Sequence, residues 1–410
     1  MKKNNSKILI GILFILLFVY AGFSPVYWVP GMSYTVFRIA KICVISTIMI
    51  FSLLLGYLNP KRVLSNSIII AFLFFVTTAF AVALGNEKNS TGAIFGEFSD
   101  FAFAGLTVVL FFNLHQRHPN SVNKVFKSGY VLLCFMALFP VLNFLIGWPD
   151  IQPPKFGREV LLSFWSTGFA GSRTNWSTGL ALFVPISFLF TINYNHRLLV
   201  ILTRLVLLSP IIASQLFCGS RGGLLATISA LGYITVKCFN VRYLLILMAI
   251  IGIISICVWP FIVEHLRLGR QDISTGRLQQ YGVAIEAISS PSLLGQGIDG
   301  SKRVVYHKVY EDHEVHNVVL RAMIDYGPLV YVSVVAFFII LLMRILFSAG
   351  TLVDVVCYAI ILTILVTSMF EPNGFIGGFQ NKFLFWAALG IVVSIEYTEQ
   401  YKKSKDKRHA

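Results

Sequence analysis

Long apolar runs recur along this chain, separated by short polar breaks. A helix that crosses the hydrocarbon core of a bilayer needs about 20 consecutive, mostly apolar residues. Twelve candidates emerge. They are centred on Ile8–Val26, Ile42–Leu58, Ser67–Leu84, Phe98–Leu114, Tyr130–Ile146, Thr178–Tyr194, Leu198–Phe217, Gly222–Val236, Leu244–Val263, Val318–Phe347, Leu352–Met369 and Phe383–Tyr397. The longest polar interruption runs from Glu264 to Gly327, between the ninth run and the body of the tenth. Inside it, Leu278, Tyr281, Ile285 and Ile288 recur at spacings of three, four and three, which predicts an amphipathic helix with Arg277 at its start. Ser290-Pro291 ends that helix, and Gly295-Gln296-Gly297 predicts a flexible turn. This GxG follows no strand and is not a dinucleotide fingerprint. Asp312 is the expected N-cap of the tenth helix, which would put His316 in its first turns. The pattern predicts an all-α polytopic membrane protein of about twelve spans. It forms one integral membrane domain over residues 1–410, with residues 264–317 as a loop on one face.

Composition supports the membrane reading: 56% of residues are hydrophobic, 12% are charged, and mean hydropathy is +0.77. Net charge is +15. In a soluble protein that excess would suggest nucleic acid. Here it matches the collection of Lys and Arg in cytoplasmic loops. With the N-terminus cytoplasmic, the basic residues concentrate in the inward segments, including the tail Lys402, Lys403, Lys405, Lys407 and Arg408. Both termini are therefore expected in the cytoplasm. The outer loops after the first, third, seventh and eleventh helices would hold only Arg38, Lys41, Lys88, Arg221 and Lys382. Met1–Phe23 has the basic start of a signal peptide, but no small-x-small cleavage site follows, so it reads as a first spanning helix. The six cysteines lie in or beside apolar runs without a CxxC pair, which supports neither a disulfide framework nor a zinc site.

This topology leaves a basic, histidine-containing set on the outer face. Ser220-Arg221-Gly222-Gly223 makes a tight turn whose arginine sits at headgroup level, suited to gripping a phosphate bidentately. Arg277 lies where helix amide dipoles also favour an anion. Taken singly, each arginine equally resembles a snorkelling or helix-end charge. His316 is placed to serve as a general base or phosphate donor, with Asn317 to orient its ring or bind a sugar hydroxyl. Arg173 precedes the sixth helix, and Trp165 or Trp176 would offer a sugar-stacking face. Glu97, Asp100 and Glu371 also fall at outer helix ends, where any of them could orient an arginine or act as a base. A metal held by His307, His313 and His316 is disfavoured, because Lys302, Arg303 and Lys308 would repel a cation.

The ordered set from Arg173 to Gly327 resembles the O-antigen ligase and O-antigen polymerase superfamily of bacterial membrane glycosyltransferases. The matching pieces are Ser220-Arg221-Gly222, then Gly276-Arg277 with Tyr281 four residues on, Ser290-Pro291, Gly295-Gln296-Gly297 and His316-Asn317-Val318-Val319-Leu320, closing at Gly327. The N-terminal helices match only in being apolar. The resemblance implies a multi-pass protein of the bacterial inner membrane with a periplasmic loop at residues 264–317. Its reaction would be a metal-independent, inverting glycosyl transfer without cofactor, from undecaprenyl diphosphate to an acceptor hydroxyl. The acceptor would be a lipid-linked repeat for a polymerase or the lipid A core for a ligase. By the same resemblance Arg221 and Arg277 bind the diphosphate and His316 deprotonates or aligns the acceptor. Arg173, Asn317 and Tyr281 would be further substrate contacts, and a chain-length regulator a further partner. The short outer loop leans toward polymerase. The competing expectation is a transporter or flippase of lipid-linked oligosaccharide, which needs charges lining a mid-membrane cavity; Arg38, Lys41 and Arg204 are the residues that would line one.

Overall fold

The computed structural model describes residues 3–27, 29–30, 32–148, 151, 163–170, 172–190, 197–238, 277–288, 292–309, 315–348, 350–371 and 382–409. Every regular element among them is a helix. Five are long and apolar enough to cross a membrane: Thr35–Leu54, Ser67–Gly85, Thr91–Arg117, Pro119–Ile146 and Pro328–Phe347. Shorter apolar helices cover Lys7–Phe23, Thr203–Cys218 and Leu352–Ser368. The ninth expected span, Leu244–Val263, lies outside the described residues.

Large apolar side chains sit on both sides of these helices. Phe111, Phe112, Phe383 and Trp386 are buried in the bundle, whereas Phe74, Phe135, Val206 and Val332 are exposed on its outside. An apolar exterior of this kind suits hydrocarbon rather than water. Small residues let the backbones approach. A methyl group placed on Gly390 would lie 2.4 Å from the Val108 carbonyl oxygen, and one on Gly129 would lie 3.1 Å from Ala21 Cβ. Close packing at small residues is the main route to helix association where lipid removes the hydrophobic drive.

Several boundaries differ from expectation, each for a local reason. The second helix starts at Tyr34, because Ser33 caps it by accepting from the Val36 amide at 3.3 Å. Arg38 and Lys41 are therefore on a helix, not in an outer loop. Lys41 is buried and donates to the carbonyls of Ser24 and Val26, both at 2.9 Å. The sixth expected helix is an α-helix only over Arg173–Phe183. It tightens to a 3-10 helix over Val184–Leu189, where Pro185 removes an amide donor. The tenth divides into Val318–Tyr326 and Pro328–Phe347. Gly327, with φ 83°, makes the break, and Pro328 opens the next helix, since proline disfavours a helical residue before it.

That break is held by the Gly295-Gln296-Gly297 segment, which is pinned rather than flexible. The last carbonyls of a helix have no intrahelical partner. Here the amides of Gln296 and Gly297 take the Ile324 and Asp325 carbonyls at 2.7 and 3.0 Å. From the other side, Asn86 donates to Leu294 O at 2.9 Å, Lys88 to Gln296 Oε1 at 2.9 Å, and the Ile298 amide donates to Asn89 Oδ1 at 2.7 Å. Below this clasp lies a buried ion pair: Arg321 Nε donates to Asp325 Oδ2 at 3.1 Å, and Asp325 Oδ1 accepts the Ser301 amide at 2.6 Å. Burial pushes the Asp325 carboxyl up, and Arg321 pulls it back. Asp325→Ala would take from the buried Arg321 guanidinium its nearest carboxylate, and from the Ser301 amide its acceptor. The expected cost is about 3–5 kcal/mol, read as a lowered thermal unfolding midpoint of the detergent-solubilised protein.

Candidate functional site

The amphipathic helix is present, at Arg277–Ile288, but it is turned relative to expectation. Ala284 is buried against Val305, Val315 and Ile324, with Tyr281 and Ile288 packed alongside, while Ile285 is exposed. Ala284 is small enough to let this helix sit closely on Gly300–Val309 and Val318–Tyr326, so the contact centres there. The outcome places Arg277 at the edge of that packed face, beside the end of the Leu352–Ser368 helix.

Glu371, just beyond that helix, is the point of convergence. Arg277 Nη2 meets its Oε1 at 2.9 Å. His316 Nδ1 lies 3.4 Å from its Oε2. A methyl group on Gly222 would lie 3.2 Å from the same Oε1, so the first turn of the Arg221–Cys238 helix abuts the carboxylate directly. Glu371 is only 6% exposed. Three segments remote in sequence thus meet on one buried carboxylate. Arg221, at the start of that helix, is half-buried.

Arg173 comes to the same end of the bundle. Its carbonyl accepts from Cys218 Sγ at 2.8 Å, two residues before Ser220. Its helix is locked in place: Gln215 donates to Ser177 O at 2.9 Å, Thr227 donates to Gln215 Oε1 at 3.0 Å, and Gly223 admits Ser177 where any side chain would collide. The Arg173 Nε is buried without a hydrogen-bond partner among the described residues. Trp176 is not a stacking face for sugar. It is fully buried under Gly168, with its indole N–H donated to Ser214 at 3.0 Å. A bulky apolar ring with one donor goes inside when an acceptor waits there. Trp165 is half-buried, edge-on to Phe144.

The N-cap of the Val318–Tyr326 helix is Asn317, not Asp312, which lies outside the described residues along with His313. Asn317 Oδ1 accepts the amides of Val319 and Leu320 at 2.9 and 3.0 Å. Its Nδ2 donates to Met369 O at 3.3 Å. His316 therefore precedes the helix, in a bend closed by the Asn317 amide donating to Val315 O at 2.8 Å. Tyr281 ties it down, donating to His316 O at 2.7 Å and Met369 O at 3.3 Å. Burial and the Glu371 charge push the Tyr281 phenol up against the opposing pull of Arg277, which keeps it a donor.

Of the three candidate acids, the structure singles out Glu371. Glu97 faces Arg321 and Tyr326, and Asp100 faces Tyr20. One signal in the sequence marks Glu371: it is the only acid between Asp354 and Glu396, set at the end of an apolar run before Pro372-Asn373-Gly374. No group of His, Cys, Asp and Glu suited to a metal occurs among the described residues.

Tyr281→Phe removes both hydroxyl contacts and is expected to destabilise the loop by about 1 kcal/mol without unfolding the protein. Faster amide hydrogen exchange over residues 315–319, with unchanged exchange in the Ser67–Gly85 helix, is the expected readout. No protein-family model and no curated protein matches this chain.

Proposed function

We propose that this chain is a polyprenyl-diphosphate-dependent glycosyltransferase of the bacterial inner membrane. It moves a glycan from undecaprenyl diphosphate to an acceptor hydroxyl at the periplasmic face. The observation that carries the reading is the meeting of Arg277, His316 and the Arg221–Gly222 turn around Glu371, with Arg173 at the same end. Two or three arginines fit a diphosphate and the charge that builds on it as the sugar leaves. A histidine beside a carboxylate fits removal of the acceptor proton. The opposite end of the bundle supports the orientation. There Arg344 lies 3.6 Å from Glu396, His115 meets Ser394 at 2.9 Å, and Lys237 donates to Ser348 O at 2.7 Å. These contacts read as a cytoplasmic face, within a topology of about twelve spans and both termini inside.

In this reading the acceptor oxygen attacks the anomeric carbon as the bond to the diphosphate oxygen breaks. The leaving electron pair goes to the diphosphate, held by Arg221 and Arg277 with Arg173 nearby, and the hydroxyl proton goes to His316. Tyr281 and Asn317 keep His316 in register through Met369. Polymerisation is favoured over ligation, because the outer loop is short.

The transporter reading is weaker. Lys41 is consumed by helix-end carbonyls, and Arg38 is exposed on the bundle surface. Arg204 is likewise taken by Ser187 and Phe190 carbonyls and lies over the Phe188 ring. None of these charges is presented to a mid-membrane path.

Arg221→Ala and Arg277→Ala should each lower transfer by about 10²–10³-fold, and His316→Ala by about 10²–10⁴-fold, with the protein still in the membrane. The measurement is polysaccharide length on a gel from cells carrying each variant. Normal chains from all three would defeat the proposal. A cysteine placed beside His316 should label from outside intact cells.

A further inference from the structure

The geometry points to Glu371 as a shared counter-ion that couples donor binding to the positioning of His316; this rests on the glycosyltransferase reading above. Each of the two Glu371 carboxylate oxygens meets a basic side chain among the described residues. Oε1 takes Arg277 at 2.9 Å, and Oε2 faces His316 Nδ1 at 3.4 Å. Gly222 leaves room for it against the Arg221–Cys238 helix, where the peptide dipoles also favour negative charge. Glu371 thus sits where an anionic ligand of Arg277 would bind, and it competes for the same guanidinium fork.

A diphosphate carries more charge than a carboxylate and matches that fork bidentately. When it takes Arg277, Glu371 loses one partner and keeps the other. Its charge then acts more fully on His316, holding Nδ1–H and leaving Nε2 as the nitrogen that receives the acceptor proton. The carboxylate neither gains nor loses a proton in the step. Glu371 is a positioning residue, and its dual pairing makes the base ready only after the donor has arrived.

The pairing has an unusual consequence for binding. Removing Glu371 removes a like charge from the diphosphate seat, so the donor should bind more tightly while transfer becomes slower. A residue with only a structural role would weaken both when lost. The test uses full-length protein in lipid nanodiscs. Undecaprenyl diphosphate serves as the binding probe, and a lipid-linked glycan is used for turnover. Glu371→Gln keeps the shape without the charge. It is expected to bind the probe about tenfold more tightly and to turn over about a hundredfold more slowly, with kcat and KM falling together. Glu371→Asp keeps the charge on a shorter stem, so probe affinity should match the wild type while turnover still falls. This second variant decides the matter if the first does not fold.

Probe binding by Glu371→Gln equal to or weaker than wild type would overturn the proposal, as would wild-type turnover in either variant. In those outcomes wild-type protein still binds the probe and transfers glycan, so the glycosyltransferase reading stands. Failure of wild-type protein to bind the probe at all would remove that reading, and this inference with it.

Discussion

Asp325, with no exposed surface, carries the end of the bundle where His316 lies. A carboxylate in that position has to be satisfied on every side. Arg321 takes one oxygen and the Ser301 amide the other, while the Asp325 backbone carbonyl accepts Gly297 N. These bonds fix three things together: the short Val318–Tyr326 helix, the Gly300–Val309 helix, and the clasp to Asn86 and Asn89. His316 sits at the head of the first of these. Its position is set by a buried pair two turns away and by the cap that Asn317 supplies.

The same requirement operates on the other side of the short helix. Tyr281, Asn317 and Glu371 gather around the end of the Leu352–Ser368 helix, where the Met369 carbonyl takes two donors. Glycines decide how close the pieces come. Gly222 admits the Glu371 carboxylate and Gly223 admits Ser177, so the helix bearing Arg221 lies against both the carboxylate and the Arg173 helix. A basic set that could have been scattered over an outer surface is instead drawn together on a carboxylate with 9% side-chain exposure. In such a partly dry setting each charge acts more strongly on its neighbours than it would in water.

Much of the helical order was legible in the apolar runs. Ser67–Gly85, Arg197–Cys218, Arg221–Cys238 and Leu352–Ser368 fall within a residue or two of the expected spans. Such runs report local hydropathy, and a spanning helix satisfies its own backbone. Errors arose where a polar cap or a proline outweighed hydropathy. Ser33 and Ser90 lengthen two helices, Pro185 tightens one, and Gly327-Pro328 cuts one in two. On Arg277–Ile288, Tyr281 and Ile288 pack as the spacing predicts, but Ala284 is buried in place of Ile285, since an amphipathic pattern does not say whether a large or a small residue meets the neighbour.

The chain by itself determined that helices present an apolar exterior, and that arginines and a histidine recur in the polar segments between them. Those are properties of composition and of near-neighbour spacing. Only the tertiary structure decided that Glu371, rather than Glu97 or Asp100, joins Arg277 to His316. It alone buried Trp176, gave Lys41 to two carbonyls, and made Asn317 a cap. Each of these outcomes depends on which helix ends lie side by side. That adjacency is set by packing between residues many tens of positions apart, and it leaves no periodic mark on the sequence.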